Sequence, residues 1–223
     1  MLQNDHHLRV IRNRIEKKVL SELKSMLEKH SEDYVKFFSN FGLDLKFGIY
    51  NNYGQNKDKL ENLLMFYSSK ARELVTLKEY AQSMPEDQKE IYYVSGTNPA
   101  VIDKMPIVAR LNEKGFEILY LTADVDEFVL QTLQEYDGHP FKNASQGDLN
   151  LDTEDEKEAL KAKNEENKDL LEFMKEALPE VKEVRLSNRL VDDPVMLVAG
   201  EGLSFEMEKV FEIMAAQSGD KET

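Results

Sequence analysis

The stretch from Ile91 to Leu121, IYYVSGTNPAVIDKMPIVARLNEKGFEILYL, constrains the fold more than any other part of the chain. Ile91, Tyr92, Tyr93 and Val94 form an uncharged run of β-branched and aromatic side chains, and Phe116, Ile118, Leu119, Tyr120 and Leu121 form a second. Both read as strands buried on two faces. The connector between them has the length of a helix. Asn98 before Pro99 fits an N-cap with proline at the first helical position, and Gly115 stands where a left-handed stop belongs. Pro106 kinks or restarts that helix. A connector this long predicts parallel strands joined by a right-handed crossover, with helices laid on a sheet.

A chain of 223 residues can bury a sizeable core. Its formal net charge of -14 argues against nucleic acid or an acidic membrane as a partner, since either would be repelled except at a locally basic patch. One such patch exists near the start, where Arg9, Arg12, Arg14, Lys17, Lys18, Lys24 and Lys29 cluster, and a solvated helix face accounts for it. The absence of cysteine removes disulfides, thiolate metal sites and cysteine nucleophiles together and fits the cytoplasm. No apolar run approaches the roughly 18 residues of a membrane helix, and the start lacks a signal-peptide core, so a soluble, untargeted chain is expected.

Ahead of the crossover the chain reads as helical. Leu8, Ile11, Ile15, Val19, Leu23 and Met26 recur at helical spacing. Ser31 is the expected cap of a second helix with an aromatic face of Tyr34, Val35, Phe37, Phe38 and Phe41, ending at Gly42. LDLKFGIYNNYG alternates briefly, and Leu60, Leu63, Leu64 and Phe66 suggest a third helix. Thr76 with Glu79 fits a capping box for a short helix closed by Pro85. Beyond the crossover, Asp124 and Glu127 mark a helix start, and Asp137 and Gly138 its end. His139, Pro140 and Phe141 begin an extended piece. Residues 152–168 are either an exposed helix or a flexible linker, followed by an amphipathic helix from Leu170 to Leu178. VKEVRLSN and VMLVAG read as two strands, and a final helix runs from Leu203 to about Ala216.

Candidate chemistry is thin. The turn from Ser95 to Asn98 lies where an α/β protein would cradle a phosphate, but it has one glycine and no GxGxxG or GxxxxGKS, which favours an ordinary tight turn. Asp148, Asn150, Asp152 and Glu154 alternate like a calcium loop, yet Thr153 and Ala159 occupy the positions that need glycine and glutamate. Asp124, Asp126 and Glu127 could form an acidic catalytic cluster at a strand's carboxyl end, and capping explains them as well. His6 and His7 belong to no HExxH pattern. These residues describe an acidic protein of mixed α and β structure without a visible catalytic centre. They leave open a free-standing α/β protein that binds a small anionic ligand or nucleotide at Gly96 to Pro99.

Longer strings carry a resemblance. LQND with RVIRNRIEKKVL, FFSNFGLDLKFGIY, LLMFYSS, VTLKEYAQSMPEDQKEIYYVSG, GFEILYLTADVDEF, LQEYDGHPF and VRLSNRLVDDPVMLV followed by FEMEKV are similar to the 90-kDa heat-shock chaperone family, most of all in its bacterial form. The resemblance covers nearly the whole chain in the family's order. It implies a mixed α+β fold in pieces: residues 1–88 as the helical part of the middle domain, 89–145 as a small αβα sandwich, 146–181 as an acidic linker and connecting helix, and 182–223 as the start of the C-terminal domain.

The resemblance also implies that the chain is a segment of an ATP-dependent cytoplasmic chaperone. In the family such a segment binds unfolded client proteins and couples nucleotide-driven change to a dimerisation domain. ATP, magnesium and the homodimer belong to the full-length protein, and nucleic acid, membrane and metal partners are not expected here. The family's catalytic loop carries an arginine shortly before a Leu-Gln pair. Only Leu2 and Gln3 match it, so Gln3 carries over as a nucleotide-sensing contact and the chain alone is expected to have no catalytic residue and no ATP hydrolysis. Client binding carries over onto Glu127, Phe128 and Gln131, with Phe128 where some bacterial members have tryptophan.

Overall fold

In the computed structural model, which describes residues 6–147, 149, 152–188, 190, 194–200 and 202–219, two long helices open the chain. The first, α1 (His6–Lys29), buries only its later half. Leu23 enters the core with Leu20, Met26 and Leu27 packed around it, while Leu8, Ile11, Ile15 and Val19 remain exposed. The second, α2 (Ser31–Tyr50), begins after His30 as its N-cap, so Ser31 is the first helical residue rather than the cap. It also runs straight through Gly42, against the expected stop. A Cβ at Gly42 would lie 2.7 Å from the Phe38 ring one turn earlier, so this glycine makes room for an aromatic face instead of ending a helix. The apparent alternation of LDLKFGIY is the last turns of α2.

The expected third helix over Leu60 to Phe66 is also corrected. A single turn, α3 (Lys57–Leu60), passes into a 3-10 turn (Glu61–Leu63), and Phe66 lies in strand β1 (Met65–Ser68). Leu63, Leu64, Met65 and Phe66 are consecutive buried residues, and periodicity cannot tell such a run from a helix. Strand β2 (Leu74–Thr76) leads into α4 (Leu77–Ser83). Here the capping box forms as expected: Thr76 Oγ1 accepts from the Glu79 amide at 3.1 Å, and the Glu79 carboxylate accepts from the Thr76 amide at 2.8 Å.

The crossover is β3 (Ile91–Ser95), α5 (Pro99–Ile102), α6 (Pro106–Glu113) and β4 (Ile118–Leu121). Asn98 caps α5 by accepting from the Val101 amide, Pro106 restarts the helix, and Gly115 takes a positive φ of 75°. Next comes α7 (Asp126–Leu133), whose N-cap is Val125 rather than Asp124. It ends at Gln134, and Asp137 and Gly138 make the turn of a hairpin instead of closing the helix. Both have positive φ, 51° and 77°, as a two-residue primed turn requires. That hairpin joins β5 (Glu135–Tyr136) to β6 (His139–Asn143).

The sheet order is β2-β1-β4-β3-β6-β5, with β4 and β6 both parallel to the central β3. Tyr93 and Leu119 face one side, with α2, α4 and α7; Tyr92, Val94, Ile118 and Tyr120 face the other, with α5 and α6. The sheet therefore has helices on both faces and draws strands from both sides of residue 88.

The acidic stretch is a helix, α8 (Glu154–Glu166), capped by a second box at Thr153 and Glu156, and α9 (Lys168–Ala177) follows. Neither expected late strand joins a ladder. Residues 181–188 and 195–198 pair with nothing in a sheet, and Ala199 makes one isolated parallel bridge to Gln146 among the described residues. Alternation marks a surface suited to a strand, but a strand also needs a partner. The last element among the described residues is α10 (Phe205–Gly219).

Candidate functional site

The first turn of α7 sits at the carboxyl end of β4, and the acidic residues in it and just before it have different surroundings. Asp124 is exposed. Asp126 is buried, accepts from the Thr122 and Ala123 amides at 3.2 and 3.1 Å, and pairs with Lys46. Glu127 turns inward, where Asn143 Nδ2 donates to it at 2.7 Å and the Ser204 hydroxyl donates to its other oxygen. Burial pushes the Glu127 carboxyl above its ordinary range, against the hydroxyls of Ser204 and Ser95, while Glu206 adds to the rise. One exposed carboxylate and two buried ones with separate partners do not make the acidic catalytic cluster that their spacing permits.

Phe128 is half-buried between rings from two other elements. Its centroid lies 5.5 Å from Tyr50 of α2 and 5.7 Å from Phe211 of α10, the second contact edge-on at 89°. One turn on, Gln131 Nε2 lies 3.1 Å from Met207 Sδ. Glu127, Phe128 and Gln131 thus each meet a residue of the 204–211 segment: Ser204, Phe211 and Met207 respectively. Gln3 lies outside the described residues.

Sequence reading did not pick out Ser204, Met207, Phe211 or Tyr50 as neighbours of this turn. Helical spacing shows Met207 and Phe211 as one apolar face, but it cannot say which helix that face meets.

At the Gly96 turn the Gly96 amide donates to Leu121 O and the Asn98 side chain is spent on Val101. A Cβ on Gly96 would lie 2.7 Å from Ile102, so the glycine serves close packing. Beside it a cleft of about 420 Å³ opens at the carboxyl ends of β3 and β6, between Ser95, Met105, Glu127, Asn143, Met196 and Phe205. Among the described residues no group of three or more His, Asp or Glu side chains could hold a metal ion. No helix among the described residues is long and apolar enough to cross a membrane.

The fold is thus a mixed α and β scaffold, 24 residues of α1 and 20 of α2 leading into a six-stranded sheet with an aromatic seam at its edge. The family model described as "Hsp90 protein" matches residues 1–223. The chaperone protein HtpG of Oceanobacillus iheyensis is 48% identical over 215 residues, covering 96% of this chain and 34% of that protein. The same coverage holds for the chaperone protein HtpG of Clostridium acetobutylicum at 50% identity and of Bacillus subtilis at 46%. The chain belongs to the Hsp90 family. It spans about a third of the length of these relatives.

Proposed function

We propose that this chain is the part of an ATP-dependent chaperone that holds unfolded client polypeptide on the seam between α7 and α10. The observation that carries the reading is Phe128: a half-buried ring, flanked by Tyr50 and Phe211, both of which keep an exposed edge. An aromatic surface of this kind supplies apolar area that needs no defined partner shape. Gln131 adds a polar group one turn along the same helix, and Glu127 anchors the seam from beneath through Ser204.

Because the contacts of Glu127, Phe128 and Gln131 all reach the 204–211 segment, a shift of α10 would move the client surface with it. This is how the chain would relay motion between a nucleotide domain and a dimerisation domain. In the full-length protein, read as a cytoplasmic homodimer, ATP and magnesium would be held elsewhere, with Gln3 as the one nucleotide-sensing contact in this chain. The chain alone turns over no ATP on this reading.

The test is titration of the chain with a permanently unfolded model protein. Phe128→Ala should weaken binding about tenfold, with a smaller loss of stability than the roughly 3–5 kcal/mol of a truncated core phenylalanine. Unchanged affinity beside a full core-sized loss would make Phe128 a packing residue and remove the assignment. Stabilisation by nucleotide with no client binding would favour a ligand site at Gly96 to Pro99 instead.

A further inference from the structure

We propose that the outward face of α2 extends the client surface and gives it a preference for unfolded segments in which aromatic or aliphatic side chains alternate with basic ones. The inference rests on the reading of the Phe128 seam as a client site. The buried face of α2 is set by Tyr34, Phe38, Gly42, Lys46 and Ile49. Leu43, Phe47 and Tyr50, spaced four and three apart and each one residue past a buried position, form a second stripe about 100° round the helix, exposed at 52%, 43% and 37%. A soluble helix has no internal reason to carry two apolar stripes, since only one can face its own core. This one is continuous with the seam, because Tyr50 contacts Phe128 and Phe128 contacts Phe211.

The charges beside these rings name the partner's chemistry. Asp44 stands one turn before Phe47, Asp124 precedes Phe128 by four residues, and Glu208 stands one turn before Phe211. All three carboxylates are exposed and make no ion pair among the described residues. The lysines of the same elements are already committed: Lys36 to Asp33, Lys46 to Asp126 and Lys209 to Glu206. Phe47, Phe128 and Phe211 are therefore each accompanied by an uncommitted negative charge three or four residues away along the chain. The complement is a chain with apolar side chains at intervals of a few residues and cations between them, and the net charge of -14 draws such a chain in.

Two labelled peptides test this, one with Phe and Leu at every third or fourth position and Lys between them, the other with each Lys replaced by Glu. By fluorescence anisotropy the full chain should bind the basic peptide, with affinity falling as salt rises, and bind the acidic one at least about tenfold more weakly. The double variant Leu43→Gln, Phe47→Gln should lose about tenfold for the basic peptide with an unchanged thermal midpoint, because both side chains are exposed. Asp44→Lys, which leaves the apolar stripe intact, should weaken binding and flatten its salt dependence.

Equal affinity for the two peptides, or full affinity in the double variant while Phe128→Ala is impaired, would overturn the α2 surface and leave the seam standing. No effect of Phe128→Ala on unfolded protein would remove the seam itself. Sedimentation showing a wild-type dimer that the double variant abolishes would assign the stripe to a second copy of the chain and overturn the proposal. Should the double variant fail to fold, Asp44→Lys and the peptide pair still decide it.

Discussion

Lys46 Nζ lies 2.6 Å from Asp126 Oδ1, and the two side chains are almost entirely withdrawn from water, at 9% and 2% exposure. The ammonium also sits 4.6 Å from the centre of the Phe66 ring and 5.6 Å from that of Phe38. The pair fastens the last turns of α2 to the first turn of α7.

Removing one partner of a buried pair leaves the other charge uncompensated, at a cost of about 3–5 kcal/mol. Lys46→Met should fall at the lower end, because the Thr122 and Ala123 amides still donate to Asp126. The double variant Lys46→Met, Asp126→Asn should be more stable than the sum of the single changes, since it removes both charges at once. Urea unfolding of the wild type and the three variants gives the coupling directly. Strict additivity would show that the two groups do not interact energetically.

Gly42→Ala should destabilise the chain. In an exposed helix interior that change gains about 1 kcal/mol from propensity. At Gly42 the new methyl would press on Phe38, 2.7 Å away, and overpacking of this kind costs roughly 1–3 kcal/mol. Phe38 is held on its other sides by Tyr34 and Lys46, so it cannot yield freely. Adding Phe38→Leu should recover part of the loss relative to Phe38→Leu alone. A stabilised Gly42→Ala protein would mean that the ring moves aside at little cost.

Glu127 makes a prediction about pH. Burial holds its carboxyl above the ordinary value of 4.5, so the folded chain binds this proton more tightly than the unfolded chain does. The associated stability is fully present below 4.5 and is lost as pH rises through the folded value. Glu127→Gln keeps a neutral group of the same shape between Asn143 and Ser204. Its stability should therefore fall less than that of the wild type as pH rises above 4.5, and at neutral pH it should equal or exceed it. Paired unfolding curves across that range isolate the residue. A wild type that gains on the variant with rising pH would show that the hydrogen bonds to the carboxylate outweigh its burial.

The elements that local chemistry specifies are legible in the sequence. The Asn98 cap, the Pro106 restart, the Gly115 stop and the box at Thr76 each act within one helical turn, so neighbouring residues suffice to read them. Gly42 and the run from Leu63 to Phe66 mislead because their meaning depends on what lies opposite. One glycine accommodates a ring, and one apolar run is buried all round. The candidate site divides in the same way. That Glu127, Phe128 and Gln131 share a helix can be read from spacing. That Glu127 points inward to Ser204, 77 residues along the chain, cannot, because no local pattern encodes a contact at that separation. The same holds for the stretch from Val181 to Asn188, whose alternation suits a strand but which forms no ladder with the described strands.

The hold of α8 on the sheet domain should be ionic. None of its residues is buried, and its described contacts with α6 centre on Arg110. That guanidinium is 16% exposed and lies 3.4 Å from both Asp152 and Glu156, with Lys114 of the α6 C-terminus 3.7 Å from Glu156. Glu156 meanwhile caps the helix by accepting from the Thr153 amide at 2.8 Å. Salt of about 0.5 M cuts the Debye length to a few ångströms, but partly buried pairs are screened less than exposed ones, so salt should loosen the helix less than removal of Arg110 does. Amide exchange over residues 154–166 should therefore accelerate in Arg110→Ala, and in the wild type at high salt, while exchange in β3 and β4 is unchanged. Glu156→Gln separates docking from capping, because glutamine still accepts from Thr153 but carries no charge toward Arg110. It should loosen the helix as a body, with its first turn still protected relative to a Thr153→Ala variant. Exchange that responds to neither salt nor Arg110→Ala would show that α8 is held by something other than these charges.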